Sequence, residues 1–99
     1  MRGMTLDEFR ATLNEPDAPE AVSELALAMW WEAKGNWDKA HSLAQDVPGF
    51  DGAWVHAYLH RKEGDEGNAW YWYRQAGRAR CHLSPDDEWA QIVTELLSR

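Results

Sequence analysis

Cysteine is almost absent: the one residue, Cys81, cannot close an internal disulfide, so the fold must rest on burial rather than on cross-links. Long apolar runs are missing too. Nothing approaches the roughly 18 apolar residues of a membrane span, and the start MRGMTLDEF has no run of the kind a secretory leader carries. A cytoplasmic protein without a membrane partner is expected. Positive charge is the third shortage: ten Lys and Arg stand against 17 Asp and Glu, for a net charge of −7. Such a balance argues against nucleic acid as a partner, because phosphate backbones need a broad basic surface.

Catalytic signatures are missing as well. There is no phosphate-binding glycine loop, no paired-Cys zinc motif and no His-Glu-x-x-His helix. Cys81 stands beside His82 and Arg80, but adjacent residues do not give a nucleophile and its base the geometry they need. The carboxylates of Asp86, Asp87 and Glu88 read as first-turn partners of a helix dipole. No enzyme activity, catalytic residue or cofactor is therefore expected.

What the chain has is aromatic and apolar side chains, with seven Trp and 44 % hydrophobic residues in 99 positions. A chain of this length must commit most of them to one core, so a single domain over residues 1–99 is expected. Their spacing is helical. Thr5 and Glu8 form a capping box before Leu6, Phe9 and Leu13, which predicts a short helix over 6–13. Pro19 suits the first turn of a second helix reaching Lys34, with Val22, Leu25, Ala26, Met29 and Trp30 inward and Gly35 as its stop. Asn36 can cap a helix over 37–46, and Pro48-Gly49 breaks it. Two more helices, over 51–63 and 66–76, are separated by Gly64-Asp65 and stopped by Gly77. Ser84-Pro85 opens the last, with Trp89, Ile92, Val93, Leu96 and Leu97 apolar.

Shifting the chain by 29 residues aligns Gly35 with Gly64, Asn36 with Asp65, Ala28 with Ala57 and Ala40 with Ala69. Small residues midway along one helix and early in the next let two backbones approach, and the glycine reverses the chain between them. These positions resemble the tetratricopeptide-like repeats, whose pattern falls on Ala57, His60, Gly64, Asp65, Ala69, Tyr73 and Ala76, and less fully on Ala28, Trp31, Gly35, Asn36, Ala40, Ala44 and Val47. The chain is also similar to a small group of bacterial proteins with a Trp- and Tyr-rich core segment, a likeness that implies no particular activity. The resemblance implies an all-α, right-handed stack of helical hairpins, with degenerate repeats over about 20–48 and 51–77 and capping helices over about 6–13 and 85–98.

The same resemblance implies a noncatalytic role in recognising a protein or peptide on the face formed by the first helix of each hairpin. That face would carry Trp54, Tyr58, Arg61 and Lys62, with Met29 and Glu32 from the second helix; the Lys and Asn pattern that clamps a C-terminal carboxylate is absent. The residues point the same way. Trp54, Tyr58 and Arg61 recur at i, i+4 and i+7, which puts an aromatic pair beside a guanidinium on one helix face. Trp70, Tyr71, Arg74 and Arg78 form a second aromatic and arginine patch, of the composition found at interfaces, and it suits a hetero-partner or a homodimer equally. His56, His60 and Glu63 recur on nearly the opposite face at a spacing that can ligate a metal, although the neighbouring turn displaces Glu63. The alternative function is accordingly a small-molecule site for an anionic or planar metabolite, lined by the same aromatics and imidazoles, with or without a His-ligated metal.

Overall fold

The elements follow from caps and stops that the sequence spells out. In the computed structural model, which describes residues 4–99, six helices occur: α1 (Leu6–Thr12), α2 (Glu24–Ala33), α3 (Trp37–Ala44), α4 (Gly49–Glu63), α5 (Glu66–Gln75) and α6 (Pro85–Leu97). No strand is present among the described residues. The first three residues of the MRGMTLDEF start lie outside them. No helix is long and apolar enough to cross a membrane among the described residues.

Thr5 and Glu8 form the expected capping box, and Ser84, Asn36 and Asp65 each accept a backbone N–H three residues on. Two boundaries differ from expectation. Pro19 does not start α2: Ala21 takes a left-handed φ of 61°, which a helix cannot include, and the Ser23 hydroxyl caps the helix by accepting from the Ala26 amide. Further along, α3 stops at Ala44 and α4 starts at Gly49, each two residues earlier than the spacing suggests.

The two glycine turns share one geometry. Gly35 and Gly64 have φ of 90° and 89°, a region that side chains with a Cβ avoid. In the first turn the Gly35 amide donates to the Glu32 carbonyl and the Asn36 amide to the Trp31 carbonyl, both at 2.9 Å. In the second, the Gly64 amide donates to Arg61 at 3.1 Å and the Asp65 amide to His60 at 2.9 Å. This paired closure is the Schellman motif. It brings α2 onto α3 and α4 onto α5, with Ala28, Ala40, Ala57 and Ala69 all buried where the backbones meet.

Helix α4 is the centre of the molecule. It packs against α2, α3, α5 and α6, and every residue from Gly52 to His60 is buried. At its start, a Cβ on Gly52 would come within 2.0 Å of the Val47 carbonyl oxygen, so the approach of the preceding loop requires glycine there. Helix α1 seats Phe9 against Trp89 of α6, their centroids 5.9 Å apart. The Trp30 indole donates to Thr12 Oγ1 at 3.1 Å and Lys34 Nζ to the Leu13 carbonyl at 2.8 Å, which ties the end of α1 to α2.

Candidate functional site

The stretch of α4 from Gly52 to His60 is buried throughout, and this decides where Trp54 and Tyr58 go. Trp54 and Tyr58 are 2 % and 1 % exposed, so both lie in the core instead of on an open surface. Spacing at i and i+4 shows that two residues share a face; it does not show whether a neighbour covers that face. The Arg78 guanidinium sits 3.4 Å from the centre of the Trp54 ring as a cationic cover.

Arg61 is committed as well. Its Nη1 donates to Glu88 Oε1 at 2.8 Å and its Nη2 to the Leu83 carbonyl. Glu88 is fully buried and also accepts from the Tyr73 hydroxyl, at 2.9 Å to Oε1 and 2.7 Å to Oε2. Burial and then the Glu88 carboxylate push the Tyr73 phenol far above its ordinary range, so it remains a donor. Burial works against the charged form of Arg61, but the hydrogen bond and charge of Glu88 outweigh it and raise the guanidinium further. Glu88 is therefore the anchor of a buried network joining α4, α5 and α6, where a helix-dipole role was expected. Its place on the stripe with Ile92 and Leu96 was the available signal.

The second patch divides. Trp70 is half-buried with the Arg80 guanidinium 5.0 Å from its ring centre, and Arg78 is drawn onto Trp54 and to 3.6 Å from Glu95. Tyr71, at 52 % exposure, and Arg74 face outward. Cys81 is half-buried, and its thiol is raised above the usual range chiefly by burial, which leaves it little thiolate.

A groove of about 920 Å³ opens where α1, α2, α4 and α6 converge. Leu13, Ala33, Trp37, Tyr58 and Trp89 supply its apolar surface, and Arg10, Lys62, Glu32, Glu63 and Asp86 its charges. The Tyr58 hydroxyl donates to Glu32 Oε2 at 3.3 Å while Lys62 Nζ lies 3.4 Å from Glu32 Oε1. Two of the tryptophans hold the walls through their indole N–H groups: Trp37 donates to the Leu59 carbonyl at 2.6 Å and Trp89 to the Met29 carbonyl at 3.0 Å.

On the other side of Trp37, α3 and α4 assemble an imidazole cluster. His41 Nε2 and His56 Nε2 are 3.0 Å apart, and His60 Nδ1 is 2.6 Å from Glu63 Oε2. Ring centres are separated by 4.7 Å for His41–His56, 4.9 Å for His56–His60 and 5.4 Å for His41–His60. Trp72 stacks on His56 with centroids 4.0 Å apart, and Trp37 stacks on His41 at 4.9 Å. Burial first, and then the neighbouring imidazoles, lower His56 to about 4; His41 is lowered mainly by burial. Both rings are therefore neutral at pH 7, each with a nitrogen lone pair. The expected pair His56 and His60 is thus brought together, with Glu63 holding one ring rather than completing a triangle. His41, which the spacing within α4 could not reveal, supplies the third imidazole. Its only sequence signal was a position one turn after Trp37 on the inner side of α3.

No protein-family model matches the chain, and no curated protein and no solved structure matches it.

Proposed function

We propose that the protein is a noncatalytic recognition module that receives a peptide segment or a partner helix in the groove between α1, α2, α4 and α6. The observation that carries this reading is the groove itself, with apolar walls at Leu13, Ala33 and Trp37 and side chains of both charges beside them. An apolar stripe takes side-chain anchors, while Arg10, Lys62, Glu32 and Asp86 fix register and orientation through polar contacts. The matching turns at Gly35 and Gly64 support a tetratricopeptide-like arrangement, in which α2–α3 and α4–α5 are successive hairpins and α1 and α6 cover the ends. In that arrangement α2 and α4 are the first helices, and both border the groove. The contact set accordingly loses Trp54 and Arg61, keeps Lys62 and gains Trp37 and Arg10, with Tyr71 and Arg74 as a second area for a partner or a second copy. The cytoplasm remains the compartment this reading assigns.

The metabolite reading has one observation in its favour, since a volume near 920 Å³ is within the range of small-molecule sites. Selection from a displayed peptide library separates the two. The recognition reading predicts binders that perturb the Trp37 and Lys62 resonances and that lose at least tenfold in affinity with Lys62→Glu. Absence of binders, or binders insensitive to Lys62→Glu and Arg10→Glu, would reject it. Binding of small anions or planar molecules at the same resonances would put the metabolite reading in its place.

A further inference from the structure

The imidazole cluster is a different feature from the groove and rests on different atoms. Three histidines from two helices each bring a ring nitrogen within 4.8 Å of the other two. A cation bound tetrahedrally at nitrogen distances of about 2.0 to 2.1 Å holds its ligands roughly 3.3 Å apart. The His41–His56 pair, at 3.0 Å, is already near that spacing. The His60 ring lies beside them, its centre 4.9 Å from that of His56 and 5.4 Å from that of His41.

Three further observations fit a ligand set. Glu63 accepts at His60 Nδ1, which places the proton on that nitrogen and leaves Nε2 as the donor to a cation; a carboxylate behind a ligating imidazole is the usual outer partner of such a ring. The stacked rings of Trp72 and Trp37 fix the planes of His56 and His41, so little rotamer freedom remains to be lost on binding. His56 and His60 are 8 % and 7 % exposed, and His41 is half-buried, so the site is sheltered but reachable from the His41 side. The donor set selects among metals: imidazole nitrogen suits zinc and its first-row neighbours, whereas calcium and magnesium require oxygen.

We propose that His41, His56 and His60 form a three-imidazole site for a borderline first-row divalent cation, zinc foremost, that clamps α3 to α4, with Glu63 as the positioning residue behind His60. Three protein ligands leave a fourth position for water or an incoming group. Since α3 ends one helical pair and α4 begins the next, a bound cation links the two pairs at their junction and stabilises the folded chain in proportion to its occupancy.

The test uses the full-length protein freed of metal with a chelator and titrated with Co²⁺, whose visible absorption reports tetrahedral coordination, followed by displacement with Zn²⁺. The expected result is saturation at one equivalent, reversed by one equivalent of Zn²⁺. His41→Gln, His56→Gln and His60→Gln should each lose at least a hundredfold in affinity, and Glu63→Gln about tenfold. His82→Gln, which alters the histidine outside the cluster, should bind like the parent. The wild-type titration decides first and requires no variant to fold: dissociation constants weaker than about 10⁻⁴ M, or no saturation at one equivalent, overturn the site. Equal losses in His82→Gln and His41→Gln overturn it as well, and far-UV circular dichroism of each variant separates lost binding from lost fold.

Discussion

Helix α4 carries a buried polar group on each of two sides, and the two are built on opposite principles. Toward α5 and α6, Arg61, Glu88 and Tyr73 combine a cation, an anion and a neutral donor, with two donors converging on one carboxylate. Toward α3, three imidazoles face one another with Glu63 as the single anion among their hydrogen-bond contacts. The first network is electrically closed, because each charge meets its complement and nothing further is required. The second gathers like groups, in which one of His41 and His56 must hold a proton between their Nε2 atoms, and an added cation would take that proton's place. Complementarity makes a lock, and concentration of one ligand type makes a receptacle.

Removing the anion should break the closed side most severely. Glu88→Ala leaves a guanidinium and a buried phenol without their acceptor and should lower stability by about 3 kcal/mol, read from urea unfolding. A loss below about 1 kcal/mol would mean that water replaces the carboxylate freely. Next in size is Gly52→Ala. Its Cβ meets the Val47 carbonyl, so the start of α4 beside His56 must shift, at about 2 kcal/mol.

The imidazole side should reveal itself through pH in the metal-free protein. The folded pKa values of His41 and His56 lie below the ordinary 6.5, that of His56 at about 4, so the unfolded chain binds more protons across this window. Stability is therefore fully present above about pH 6.5 and is lost as pH falls toward 4, while His60, Glu63 and Asp38 also face the rings. A decline of several degrees in Tm between pH 7 and pH 5 is expected. A Tm that holds or rises over that interval would contradict it. The smallest effect belongs to His56→Leu, which takes the ring partner from His41; because His41 is half-buried and water can reach it, the cost should be about 1 kcal/mol without metal. A cost equal to that of Glu88→Ala would erase the distinction between the two sides.

Much of the local structure was legible because it depends on near neighbours. The caps at Thr5, Asn36, Asp65 and Ser84 and the glycine stops at Gly35, Gly64 and Gly77 appear where short-range spacing puts them. Periodicity also placed Phe9, Met29, Trp30, Ile92 and Val93 in the core. It failed where two elements had to be known together. The faces of α4 could be drawn from spacing, but only the positions of its four neighbouring helices show that Trp54 and Tyr58 are covered. His41 and His56 are 15 residues apart and meet through packing, and Glu88 reaches Arg61 across 27. Each needed a partner from another helix to acquire its role. The start of α2 failed for a local reason: Pro19 suits a first turn, but Ala21 and the Ser23 cap set the boundary later.

The contrast between the two sides of α4 is tested most directly by imidazole nitrogen NMR of the metal-free protein during titration with Zn²⁺. The ring nitrogens of His41, His56 and His60 are predicted to shift together and stop at one equivalent, while His82 and the Arg61 guanidinium stay in place. Shifts confined to His82, or none in the cluster at one equivalent, would contradict the account and leave the three imidazoles as core side chains only.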